Sequence, residues 1–167
     1  MTITRILLVA SSMFSVGCTP HIALRTPLTV TPASCALQVI DARPDPEAIY
    51  LRMTEGTRRA ILEPSLSEAI RRNVCEALQP QQLALPAKFT VTDFECTVTG
   101  FFEIRYVVDL RGHLELSNRT SEELRSGNVQ VSSNGYAPSG CETAAAITLP
   151  SLSEQIAKVI QERATQK

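Results

Sequence analysis

Between residues 103 and 117 the side chains sort into two faces. Ile104, Tyr106, Val108, Leu110, Leu114 and Leu116 share one, while Glu103, Arg105, Asp109, Arg111, His113 and Glu115 share the other. Successive side chains of a strand point to opposite sides, so this stretch reads as a long strand with one face on a core and one in water. Gly112 falls on the apolar face, where a missing side chain lets the strand bend or a helix approach closely. A one-sided strand needs a second layer across its apolar face.

The rest of the chain supplies candidates for that layer. Residues 35–40 alternate Cys35, Leu37 and Val39 with smaller or polar residues, a first strand that Asp41-Ala42-Arg43-Pro44-Asp45-Pro46 then stops. A loop is expected to about Gly56, with Ala60-Ile61-Leu62 as a short edge strand. Pro64-Ser65-Leu66-Ser67-Glu68 opens a helix through a capping box, in which Ser65 accepts from the backbone at 68 and Glu68 reaches back. Leu66, Ala69, Ile70, Val74, Ala77 and Leu78 follow at helical spacing, and Pro80 marks the end. The same five letters at Pro150-Ser151-Leu152-Ser153-Glu154 predict a second helix start, with Pro138 to Gly140 in the loop before it. Residues 89–102 form a strand whose apolar phase shifts near Asp93, the mark of a bulge. After a turn at Ser117-Asn118-Arg119-Thr120, a further strand over 123–133 shifts phase at Gly127. The predicted order is β-α-β-β-β-α. It describes an α+β two-layer sandwich, an antiparallel sheet of about four strands with two helices on one face.

The first residues give an address. Arg5 precedes an apolar run over 6–14, and Ser15-Val16-Gly17 leads into Cys18. That is a secretory signal of residues 1–17. Its nine apolar or small residues would span only about 14 Å in helix, roughly half a hydrocarbon core. A cysteine directly after Gly17 points to lipoprotein processing, with Cys18 acylated and left as the new N-terminus. Position 15 holds Ser where such signals usually carry Leu. Residues 18–34, with Pro20, Pro27 and Pro32, read as an extended tether, and residues 35–167 as one periplasmic domain. Removing the signal takes Arg5 from 16 basic and 17 acidic residues and leaves a net charge of −2. No basic field remains to attract nucleic acid. Membrane attachment then falls to the lipid, and Thr19, in place of a retaining Asp, favours the outer membrane.

Cys35, Cys75, Cys96 and Cys141 remain in the mature domain. An oxidising compartment favours pairing, and four cysteines allow three connectivities. If strands and helices alternate in direction, Cys75 returns beside Cys35, and Cys96 and Cys141 share the opposite end. The expected bridges are therefore Cys35–Cys75 and Cys96–Cys141; free buried cysteines are the alternative. No two cysteines have the spacing of zinc ligands, and His21 and His113 lie far apart, so no metal is expected. No phosphate loop or helical metal motif is present. His113 is a solvated strand residue, and Asp41 with Arg43 reads as a local ion pair at a strand end. An enzyme would need these three to converge. No enzymatic activity and no cofactor are expected.

A lipidated cysteine, a Pro/Thr tether, a strand ending in Asp41-x-Arg43, a Pro-Ser helix opening, a three-strand meander and a C-terminal amphipathic helix together resemble the YajG-type lipoproteins. The same element order is similar to that of the lipoprotein of the lipopolysaccharide-insertion complex (LptE) and of auxiliary lipoproteins of lipid-transport ABC systems. The four mature cysteines depart from the YajG-type pattern. The resemblance implies a periplasm-facing, outer-membrane accessory domain that binds or helps assemble another envelope protein. A carrier or sensor of an apolar ligand, with a cavity opening near Gly112, is the alternative.

Overall fold

A computed structural model describes residues 19–26, 35–78, 86–100, 103–116, 121–127, 129–132 and 137–165. The signal, Cys18, residues 27–34, the helix stop at Pro80 and the turn at 117–120 lie outside the described residues.

Two long strands form the centre. β5 (Ala87–Thr99) and β6 (Arg105–Leu116) run antiparallel along their whole lengths, with the register shifting between Val91 and Asp93 as the phase of the sequence predicts. Their inner row (Phe89, Val91, Phe94 and Cys96 against Tyr106, Val108, Leu110 and Leu114) is buried. Gly112 sits in that row for a definite reason. A Cβ there would lie 2.5 Å from the Phe89 ring and 2.5 Å from the Thr90 carbonyl oxygen. The glycine admits an aromatic ring from the neighbouring strand, not a helix.

Beyond β6 the predicted third meander strand is split into β7 (Ser121–Arg125) and β8 (Val129–Ser132). Ser126 fills the break. Its N–H donates to the Leu110 carbonyl at 2.8 Å, and the Leu110 N–H donates to its hydroxyl at 3.0 Å. Both backbone groups of Leu110 are thus satisfied where the ladder is interrupted.

The other edge of β5 overturns the expected sheet. β2 (Leu37–Asp41) lies parallel to residues 87–91, and β3 (Ala48–Met53) lies parallel to residues 95–97. They follow one another along the same edge, and residues 42–47 leave it and return. The reason is local: Pro44 and Pro46 have no N–H to give a ladder, so the chain bulges out there and resumes the edge afterwards. β3 then turns back into β4 (Gly56–Glu63), a hairpin in the stretch expected to be mostly loop. Gly56, at φ 134°, occupies the turn position that a side chain would strain.

Ala60-Ile61-Leu62 is not an edge. β1 (His21–Ala23), inside the expected tether, covers it in parallel, with His21 beside Ile61. Ile22 is fully buried and Leu24 nearly so, which explains why two apolar residues between prolines join the domain instead of remaining extended. Among the described residues the sheet is therefore mixed and has eight strands, in the order β1-β4-β3-β5-β6-β7 with β2 and β8 beside β5 and β6. The parallel β2 and β3 and the added β1 and β4 replace the expected four-stranded antiparallel sheet; the α+β character and the two helices remain.

α1 (Leu66–Ala77) begins as predicted, with Ser65 as N-cap accepting from Glu68 N–H at 3.3 Å. The reciprocal half of the box is not made, because the Glu68 carboxylate pairs with Arg72 one turn on. α2 differs more. It runs from Ala137 to Thr165 straight through Pro150, so the repeated Pro-Ser motif is helix interior and not a helix start. An interior proline costs a helix about 3 kcal/mol. Burial of twelve residues, among them Cys141, Ala144, Ala145, Leu149, Leu152, Ile156 and Ile160, outweighs that cost. Gly140 allows the approach: a Cβ there would meet the buried Tyr106 ring at 2.4 Å.

Cys35 is bonded to Cys75 and Cys96 to Cys141, the pairing expected from alternating directions. One bridge ties the start of β2 to α1, and the other ties β5 to α2.

Candidate interaction surface at the open edge

Among the described residues β1, β2 and the β7–β8 pair lie at the edges of the sheet, and residues 56–60 of β4, exposed over 56–59 at the hairpin, extend beyond β1 without a strand on that side. They are not equivalent as templates. β1 has only three residues. The β7–β8 edge is broken at Ser126 and bears Glu122, Glu123 and Arg125, features that discourage pairing. β2 has five residues in regular register, and its open side borders a groove of about 480 Å³. Cys35 to Val39 form one wall of the groove, and Ser67, Glu68, Arg71 and Arg72 of α1 form the other. Gln38 is exposed, and Ile40 is one of three large apolar residues left in solvent among the described residues.

The end of β2 is fixed by a buried knot. Arg43 donates from Nε and Nη2 to the two Asp41 carboxylate oxygens at 2.8 and 2.6 Å. Its remaining donors reach the carbonyls of Ala48 at 2.7 Å and Pro46 at 3.1 Å. Both side chains are only 6% exposed, and the guanidinium also lies 5.6 Å from the centre of the Phe94 ring. The pair foreseen at the strand end is thus real, and it is structural: it holds the excursion at 42–47 in shape. That excursion sets where β2 ends and β3 begins.

A second cleft, about 490 Å³, lies between this excursion, the β3–β4 hairpin and the β5 bulge. Two of the three acids that line it, Asp45 and Glu95, are already engaged, and Asp93 is the third. Asp45 accepts from Arg59 at 2.6 and 3.1 Å and from the Tyr50 hydroxyl at 3.1 Å, and Glu95 pairs with Arg52 at 2.7 Å. The Arg59 hydrogen bonds, more than any other influence, hold the Asp45 carboxyl below the usual carboxylate range.

The outer face of β6 is less wet than its charges imply. Arg111 and Arg125 stand directly opposite one another, a like-charge pairing that costs stability on its own. Asp109, 8% exposed, resolves it by accepting from Arg111 at 3.0 Å and from Arg125 at 2.9 Å on both oxygens. Burial pushes the Asp109 carboxyl up, but the hydrogen bonds from Arg125 and Arg111 and their charges outweigh it and leave its pKa lowered. A carboxyl lowered on folding binds protons less readily in the native state. Its contribution is complete above about pH 4 and is lost as pH falls through the native pKa. Asp109→Asn should therefore lower stability at pH 7 and flatten the decline in stability below pH 4. Urea midpoints at pH 7 and pH 3 check this; parallel losses at both would contradict it.

His113 does not join the Asp41–Arg43 pair. Asp41 stands in register with Val91 on the inner row, while His113 stands opposite Thr90 and Glu123 on the outer face. His21 lies on β1, 3.8 Å from Glu63. No group of His, Cys, Asp and Glu among the described residues could hold a metal ion. No described helix is long and apolar enough to cross a membrane. The Asp109 cluster and the β2 edge escaped the sequence reading, because both depend on strand register that one chain's pattern does not reveal.

No family model and no curated protein matches the sequence. Among solved structures, the chain is similar to protein XCC0632 from Xanthomonas campestris, a DUF330 protein, with TM-score 0.55 at 14% identity. The match covers 87% of this chain and 98% of the other. The likeness is one of fold alone.

Proposed function

We propose that this chain is a non-enzymatic envelope lipoprotein, anchored through acylated Cys18 and facing the periplasm from the outer membrane. Its domain receives an extended segment of another envelope protein along the open edge of β2. The observation that carries the reading is that edge, whose open side borders a groove instead of another strand. Main-chain hydrogen bonds to such an edge supply affinity, and pockets beside it supply selectivity. Two disulfides in the domain agree with export to an oxidising compartment. The reading needs no cofactor. The carrier alternative called for a cavity opening near Gly112, and the Phe89 ring occupies the space over that residue.

A photo-crosslinking residue in place of Gln38 tests the proposal in membranes of the native host. It should yield a discrete adduct with an envelope protein that also co-purifies after gentle solubilisation. The same residue in place of Glu122, on the β7 edge, should yield none. Recovery of the lipoprotein alone with Gln38 substituted, or equal adducts from both positions, would count against it.

A further inference from the structure

We propose that the tip of the β3–β4 hairpin contacts the phospholipid headgroups of the bilayer that holds Cys18. The inference rests on the lipid-anchored reading above and concerns which end of the domain meets the membrane. The expected tether would have left that open. Instead the chain is pinned from Pro20 onward: the Ile61 N–H donates to the Pro20 carbonyl at 2.9 Å, and Leu24 N–H donates to Glu63 at 2.8 Å. Cys18 is two residue steps from Pro20, a reach of at most about 7 Å. The anchor is therefore a short stub on a fixed strand.

β1 is parallel to β4, so following the chain backwards from His21 towards Cys18 leads towards the beginning of β4, where the hairpin turns at residues 54–55. Pro20 lies level with Ala60, one step before the His21–Ile61 pair. From that level the turn is five residues away, about 17 Å at strand rise. The turn thus reaches some 10 Å further along the strand direction than Cys18 can, and a headgroup layer is only about 5–8 Å deep. With the acyl chains in the bilayer, the hairpin must enter the headgroup layer or tilt and lie on it.

Its chemistry suits that place. Gly56 to Arg59 are exposed on both faces of the hairpin. Arg58 has no ion pair among the described residues and offers a guanidinium fork to lipid phosphate. Arg52, on the partner strand of the hairpin, pairs with Glu95 but keeps its side chain 64% exposed.

The test uses the acylated full-length protein, with its disulfides intact, carrying one fluorophore at Glu55→Cys or at Glu122→Cys. The second position pairs with Leu114, towards the opposite end of β6, nine steps or about 31 Å along the strand from Arg105 at the hairpin's end. In vesicles of phosphatidylethanolamine and phosphatidylglycerol with a headgroup-attached quencher, the label at 55 should be quenched several-fold more than the label at 122. A ten-residue Gly/Ser insertion between Thr19 and Pro20 should abolish the difference while flotation with vesicles persists. Equal quenching at both positions in protein that is acylated and floats would overturn the inference alone. Absence of acyl mass at Cys18, or failure to float, would overturn the anchored reading beneath it.

Discussion

Arg43→Ala should destabilise the domain by about 3–5 kcal/mol, because it strands a carboxylate inside the protein. Asp41 is 6% exposed, and the structure gives both of its oxygens to Arg43. Removing the guanidinium also leaves the Ala48 and Pro46 carbonyls without their donor. Arg43→Lys should recover only part of the loss, since one ammonium cannot serve the carboxylate and two carbonyls in a planar fork. The double replacement Asp41→Leu/Arg43→Leu should cost less than Arg43→Ala alone, because no uncompensated charge remains. Urea denaturation of the four proteins measures this. A loss below about 1 kcal/mol for Arg43→Ala would show that Asp41 finds water, and the knot would then be peripheral. The consequence reaches the proposed surface, because the excursion at 42–47 positions the end of β2.

Reduction of both disulfides should leave the domain unfolded or barely folded at 37 °C. The bridges span 40 and 45 residues. Loop-closure entropy assigns each about 4 kcal/mol, through restriction of the unfolded chain. Together they approach the whole stability of an ordinary domain, about 5–15 kcal/mol. The sheet gives physical grounds for the dependence: many of its pairings join strands far apart in sequence, as β1 with β4 and β2 with β5 do. Cys96→Ala/Cys141→Ala should lower the melting temperature on the order of 10 °C. Thermal circular dichroism with and without reductant reads both effects. A melting curve unmoved by full reduction would mean that the core alone suffices.

Particular residues show what the amino-acid pattern disclosed. The strand at 105–116, the bulge at Asp93 and the Ser65 cap were legible because each is a local matter of period or hydrogen-bond chemistry. The disulfide pairing was also legible, since it needs only the direction of each element and not the full count of strands. What stayed hidden depended on partners. Ile22 looked like a stray apolar residue between prolines until β4 was placed beside it. Pro44 and Pro46 pointed to an ended strand, whereas the chain bypasses the edge and resumes it. Pro150 after a run of alanines looked like a boundary, because the burial that holds α2 together through it lies in other elements. The open edge of β2 belongs to the same class: an unpaired edge is a property of the sheet and not of the strand.

The position of β1 also orders events during biogenesis. The segment nearest the N-terminus emerges first, yet the strand it must join is made some forty residues later, and α2, which also packs against it, comes last of all. Until then Ile22 and Leu24 have no apolar shelter, and β4 has a bare flank. β1 therefore behaves as a latch that closes late. A protein trimmed to begin at residue 35, as a reading of 18–34 as mere spacer would invite, is missing that latch. It exposes the row at Ala60 to Leu62 to any neighbouring chain able to add a strand, including another copy of itself.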